Sequence, residues 1–309
     1  MEIARTLFSR YVFGNPYLLL IMATLFWGGN TIAGRLAIGH VSPMVVVSLR
    51  WFIVASVLIV LTRAQLKREW PILRKALPIM AAMSLFGFVA FTSFFYIAAH
   101  HTTALNLGIL QGSIPILVLI GSAFLFANKI RLLQALGVVA TLVGVAIVAS
   151  HGDFNALLNL RINPGDGVMM LACISYAIYT LALRNRPKIP ALPFFTVLSA
   201  LAAILSLPAF LYEMQMGDLQ WPDAEGWLIV FYISLFPSCL AQIFFVRGVE
   251  LIGPARAGVF INLVPVFAAT LAVLILSEEF HLYHALSMAL VLGGIGLSER
   301  KVREVPPVD

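Results

Sequence analysis

NKIRLLQALGVVATLVG (residues 128–144) and EEFHLYHALSMALVLGG (residues 278–294) are one stretch of chain written twice, 150 positions apart, with the loop charge reversed. Leu132, Ala135, Leu136, Leu142 and Gly144 recur as Leu282, Ala285, Leu286, Leu292 and Gly294, whereas Asn128, Lys129 and Arg131 are answered by Glu278, Glu279 and His281. The same register pairs Phe94 with Phe244, Phe95 with Phe245, Gly108 with Gly258 and Pro115 with Pro265. A soluble repeat has no reason to invert the charge of equivalent loops. A membrane protein whose halves insert upside down relative to each other has one, because Lys and Arg stay on the cytoplasmic side. Inverted repeats of this kind are an architecture of secondary transporters.

Composition agrees with that reading. Apolar residues make up 61% of the 309-residue chain and charged residues 11%, and the mean hydropathy is +0.97, far from the balance of soluble domains. Apolar runs of roughly 20 residues, enough to cross about 30 Å of hydrocarbon, fall at 15–38, 42–62, 75–98, 103–126, 131–150, 164–185, 190–213, 225–247, 255–277 and 282–299. The expected fold is an all-α polytopic membrane protein of ten transmembrane helices in two inverted five-helix repeats, 1–150 and 151–309. The first run is too long for the apolar core of a cleavable signal and lacks a small-residue cleavage site, so it reads as the first span.

With the N-terminus in the cytoplasm, the inner side collects Arg5, Arg10, Arg63, Lys67, Arg68, Arg74, Lys75, Lys129, Arg131, Arg184, Arg186, Lys188, Arg247, Arg256, Arg300, Lys301 and Arg303, and the outer loops hold only Arg161. Both termini are then cytoplasmic, and a bacterial inner membrane is the expected location. The net charge of +6 orients the spans rather than recruiting nucleic acid. Cys173 and Cys239 lie within apolar runs and read as packing residues.

The first-span segment Ala23-Thr24-Leu25-Phe26-Trp27-Gly28-Gly29-Asn30, its counterpart Ala172 to Tyr179, Leu49-Arg50-Trp51-Phe52, the paired Pro115 and Pro265, and Glu278-Glu279 occur in family order. Carrying these, the chain resembles the drug/metabolite transporter superfamily, its EamA-type members in particular, and within them the YddG-type amino acid exporters. The resemblance covers nearly the whole chain. It implies export of aromatic and other neutral amino acids, and a central cavity formed by the first four helices of each half, with the fifth and tenth at the periphery.

Candidate functional residues follow from what hydrocarbon tolerates. Pro115 and Pro265 lack a backbone donor and crowd the preceding turn, so each is a gating hinge or a static kink. Asn30, Asn106, Gln111, Gln242 and Asn262 place amides within spans, where they hydrogen-bond either substrate or a neighbouring helix. Arg50 is the one basic residue well inside a span; it either anchors a substrate carboxylate or is satisfied by snorkelling and carbonyls. Trp27, Phe91, Phe95, Tyr176 and Tyr179, with Phe88, Phe94, Tyr96, Phe244 and Phe245 nearby, supply rings for an apolar cavity or for lipid contact. Gly137, Gly144, Gly293, Gly294 and Gly296 permit close helix packing, within the chain or across a homodimer interface.

All fourteen acidic residues are placed in loops, tails or helix ends. Asp166 reads as a helix cap, and proton exchange through a central carboxylate is disfavoured. His100, His101, His281 and His284 gather at the outer edge without metal-ligand geometry. No cofactor is called for. An intramembrane enzyme would need a nucleophile with its base, or a metal set, and neither pattern is present. A sugar-phosphate or nucleotide-sugar antiporter would need paired cations at depth, and only Arg50 qualifies. Alternating-access transport of small neutral metabolites, with weak or no ion coupling, is the leading expectation.

Overall fold

The computed structural model describes residues 13–126, 131–153, 163–252, 257 and 260–299. Arg5, Arg10, Lys129, Arg161, Arg256, Arg300, Lys301, Arg303 and both termini lie outside the described residues, as does Gly258. Among those described, every regular element is helical. The helices are α1 (Pro16–Leu36), α2 (Pro43–Ser84), α3 (Phe91–Ala99), α4 (Ala104–Gln111), α5 (Ile114–Phe126), α6 (Leu132–Ala149) and α7 (Pro164–Ala182). They continue as α8 (Ala191–Leu205), α9 (Leu207–Met216), α10 (Ala224–Ile233), α11 (Ala241–Ile252), α12 (Leu263–Leu276) and α13 (Leu282–Glu299). Starts are capped as local chemistry demands: Asn15 accepts from the Tyr17 and Leu18 amides, and Asn163 from Gly165. Asn163, and not Asp166, is therefore the cap of α7.

Among the described residues, seven helical stretches are long and apolar enough to cross a membrane, and 260–276 and 282–297 are shorter apolar helices. One stretch differs from the expected loop at 63–74, because the backbone stays helical from Pro43 to Ala99. It cannot be one straight rod. Arg50 and Tyr96, 46 residues apart, are hydrogen-bonded at 2.8 Å, whereas a straight helix would hold them about 69 Å apart. The chain doubles back between Thr62 and Ser84, which bond Thr196 and the Leu198 carbonyl of one helix, and within that segment Pro71 and Pro78 each lack a backbone donor.

Two further breaks occur at matched places. Six residues, Leu85–Ala90, form a π-helical turn between α2 and α3, and seven, Ser234–Leu240, form one between α10 and α11. Each begins within the same tripeptide, Ser84-Leu85-Phe86 or Ser234-Leu235-Phe236. The proline helices are also interrupted. Gly112 and Ser113 separate α4 from α5, and a 3₁₀ turn, Phe260–Asn262, precedes α12. Pro115 and Pro265 thus sit in the first turn after a break, where a missing N–H costs nothing, rather than mid-helix.

The breaks face each other: a Cβ on Gly112 would lie 3.5 Å from Pro265 Cγ, and one on Gly108 would meet the Ala268 side chain at 2.6 Å. Helices α6 and α13 pack along their length. Ser287 Oγ donates to the Gly144 carbonyl at 2.5 Å, and a Cβ on Gly294 would collide with Thr141 Oγ1 and the Gly137 carbonyl. That close approach lies within one chain. Large apolar side chains are exposed along the helices, among them Phe124, Leu132, Val60, Leu228, Leu274 and Leu282, as expected where lipid rather than water is the solvent.

Candidate functional site

Arg50 stands on α2, with its side chain almost wholly buried (7% exposed). Its Nε donates to Ser238 Oγ at 2.6 Å and its Nη1 to Tyr96 Oη at 2.8 Å, with a longer contact to Asn30 Oδ1 at 3.4 Å. Tyr96 Oη in turn donates to Asn30 Oδ1 at 3.0 Å. Asn30, Tyr96 and Ser238 are all buried. Four helical segments, α1, α2, α3 and the second π turn, therefore converge on one guanidinium.

The π turn explains why Ser238 is there. Widening the backbone lets Ser238 Oγ donate to the Ile233 carbonyl five residues back, at 2.6 Å, while it accepts from Arg50. The neighbouring Pro237 carbonyl, freed from the α-helical ladder, accepts from Trp27 Nε1 at 3.0 Å. Trp27 and Asn30 are three residues apart on α1, so one face of that helix meets the π turn through Trp27 and the Arg50–Tyr96 pair through Asn30.

Every group that bonds Arg50 is neutral. The described ion pairs are His40 with Asp223 and Glu225, Arg68 with Glu69, Arg247 with Glu250, and His281 with Glu279; none involves Arg50. The guanidinium instead lies 5.0 Å from the Trp51 ring centroid and 6.0 Å from that of Tyr96.

Those two rings are the ends of an aromatic chain. Trp51 stacks on Phe88 at 4.7 Å and 13°. Phe88 meets Tyr179 at 5.5 Å, Tyr179 meets Tyr176 at 5.3 Å, and Tyr176 meets Phe91 at 5.1 Å. Phe91 reaches Phe95 at 6.1 Å and Phe95 reaches Tyr96 at 5.2 Å. Seven rings thus run from one side of Arg50 to the other. Gly87, in the first π turn, makes room for Tyr179, whose ring a Cβ there would strike at 2.4 Å.

Of the sequence candidates, Asn30, Arg50, Phe91, Phe95, Tyr176 and Tyr179 are brought together, and Trp27 joins through the π turn. Asn106 lies apart: it donates both ways to Asp166, at 3.3 and 3.1 Å, where Thr102 also donates at 2.5 Å. Asp166 is buried and takes part in an interhelical bond. Gln111 donates to the Leu107 carbonyl of its own helix at 3.2 Å. Gln242, in the first turn of α11, and Asn262, in the 3₁₀ turn before α12, are half-buried. Sequence reasoning missed Ser238, Tyr96 as an Arg50 partner, and the Pro237 carbonyl. The repeated Ser-Leu-Phe tripeptide was the available signal. Among the described residues no cluster of His, Cys, Asp and Glu could hold a metal ion.

The EamA-like transporter family profile matches residues 15–150 and 163–299. The chain is similar to the uncharacterized transporter YetK of Bacillus subtilis (strain 168), 27% identical over 94% of this chain and 88% of that one. It is also similar to the uncharacterized transporter YyaM of the same organism, 21% identical over 91% and 92%, and to an uncharacterized transporter of Archaeoglobus fulgidus, 24% identical over 93% and 99%. A solved crystal structure shares the fold, with a TM-score of 0.63 at 20% identity, covering 91% of this chain and 95% of that one. The chain belongs to the EamA-like transporter family and is a multi-pass membrane transporter.

Proposed function

We propose that this EamA-family transporter carries neutral amino acids, aromatic ones included, and that Arg50 receives the substrate carboxylate. The observation that carries the reading is a buried guanidinium whose described partners are all neutral. A cation at depth costs roughly 2.5–3.5 kcal/mol to insert, and neutral acceptors recover only part of that. A carboxylate would add charge-assisted bonds of about twice the usual strength. The seven-ring chain beside Arg50 offers an apolar, aromatic surface to the amino acid's side chain.

Movement proceeds by alternating access between inverted halves, outward from the cytoplasm, across a bacterial inner membrane with both termini inside. The distribution of Lys and Arg supports the orientation. Among the described residues no carboxylate bonds Arg50, which supports uniport without an obligatory proton.

Counterflow in proteoliposomes with labelled phenylalanine, tryptophan and leucine tests this. R50Q is expected to cut flux at least tenfold, the loss of about 1.4 kcal/mol or more, with R50K intermediate because it loses the guanidinium fork. Phenylalanine amide, which lacks the carboxylate, should compete poorly. Equal competition by the amide, or full flux in R50Q, overturns the assignment of Arg50.

A further inference from the structure

We infer that Glu213 and Glu278 are a pair of conformational latches that hold one end of the bundle shut. The inference rests on the alternating-access reading. Glu278, following α12, places its two carboxylate oxygens on the first amides of α4: Oε1 accepts from Ala104 at 2.8 Å and Oε2 from Leu105 at 2.9 Å. Glu213, on α9, does the same at the start of α2, accepting from the Met44 amide at 3.2 Å and from Ser42 Oγ at 2.6 Å. In both, the carboxy-terminal half of the chain supplies the anion and the amino-terminal half supplies the helix N-terminus. That pairing satisfies otherwise unbonded amides and places negative charge against the positive helix end.

Weaker contacts join the same end. The Ser42 amide donates to the Gln220 carbonyl at 3.1 Å, and Gln220 Nε2 donates to the Gly39 carbonyl at 2.6 Å. Arg35 Nη1 donates to the Ala99 carbonyl at 2.6 Å, which ties the end of α1 to the end of α3 and so links the two latch regions.

The opposite end is built differently. Moving by 150 positions, Glu213 corresponds to Arg63 and Glu278 to Asn128, neither of which is an acidic residue; Asn128 lies outside the described residues. Phe194, the counterpart of Met44, has its amide bonded to the Pro190 carbonyl of its own chain segment. Among the described residues, the halves meet there through uncharged hydrogen bonds, Thr62 with Thr196 at 3.1 Å and Ser84 Oγ to the Leu198 carbonyl at 2.8 Å, and through Arg184 over the Phe126 ring at 4.3 Å. Among the described residues, carboxylates on helix N-termini across the halves occur at one end, which biases the resting protein towards the conformation closed there. Opening it requires both carboxylates to leave, and the bonds of Asp166 to Thr102 and Asn106 and the His40 pairs with Asp223 and Glu225 to break.

Hydrogen–deuterium exchange on the full-length protein in nanodiscs tests this, with E213Q, E278Q and the double variant. Exchange at 43–47 and 104–108 should rise about fivefold in each single variant and about 25-fold in the double, the loss expected for one and two helix caps acting together. Exchange at 63–73 and 183–189, on the other end, should fall in step. A rise without the reciprocal fall marks two local caps and overturns the latch. Because the double variant could fold poorly, S42C/Q220C supplies a second arm, as those two backbones are already bonded. Oxidation should abolish amino acid counterflow and reductant restore it; unchanged flux when oxidised overturns the latch. Absence of flux even when reduced counts against the transport reading instead, and the exchange result then decides the latch alone.

Discussion

Arg50 and His40 show how differently a cation behaves at depth and at the surface. Arg50 lies among hydroxyls, an amide and aromatic faces, with no anion bonded to it among the described residues. His40 sits in an exposed loop with Asp223 at 2.8 Å and Glu225 at 3.3 Å. The hydrogen bond to Asp223 raises the His40 pKa above its ordinary value; burial opposes it, and the negative charges of Asp223 and Glu225 add to the rise. Asp223 is lowered, first by the Gly226 amide and then by His40.

The signs set a window. The imidazolium contribution is full below the ordinary histidine pKa of about 6.5 and fades as pH rises through the raised value. The Asp223 contribution is present above the ordinary carboxylate range and fades as pH falls through the depressed value. Their overlap spans mildly acidic pH. NMR titration should find the His40 midpoint above that of a free histidine and see it drop in D223N; an unmoved midpoint would contradict the pair. Arg50 was legible in the sequence as a lone deep cation. Its partners were not, since Ser238 is 188 residues away and nothing in a serine's local context announces a contact at that distance.

At the scale of elements, the breaks matter more than the helices. Two π turns and two proline-bordered interruptions fall at matched positions; the second π turn supplies Ser238 to Arg50, and the two proline breaks pack on each other, with Gly112 beside Pro265. Prolines were readable, but their placement just after a break rather than at a mid-helix kink was not, because helix ends depend on which amides find tertiary partners. Since Pro115 occupies a first turn, P115A should fold with near-normal helix content and still slow counterflow, by relaxing the φ restraint that keeps the break open. W27A should slow it too, by releasing the Pro237 carbonyl. Circular dichroism and flux on the same samples check both. Wild-type flux in both variants would remove the breaks from the transport cycle.

For the whole molecule, close packing of α6 on α13 places Gly144 and Gly294 in contacts within the chain, whereas Gly293 and Gly296 face open space. A Cβ on Gly144 would lie 2.9 Å from the Ser287 carbonyl, 3.0 Å from Val291 Cγ2 and 3.1 Å from Leu290 Cβ, so a larger residue must push backbone apart. G144L is expected to cost about 1–3 kcal/mol, seen as a lower thermal midpoint in detergent that is independent of protein concentration. A concentration-dependent loss would mean that the same glycines serve contacts between copies.

By itself, the sequence determined that the chain crosses a bilayer many times, that its residues recur at a spacing of 150 with reversed loop charge, and that Arg50 is an exception at depth. Those properties are local or periodic: hydropathy needs only a run of residues, and a repeat needs only comparison of the chain with itself. Tertiary structure alone decided that Asn30, Tyr96 and Ser238 surround Arg50, that Asn106 bonds Asp166, and that Glu213 and Glu278 cap helices far from them in sequence. The physical reason is that a buried donor or acceptor takes whichever partner packing brings within about 3 Å, and packing is a property of the folded chain.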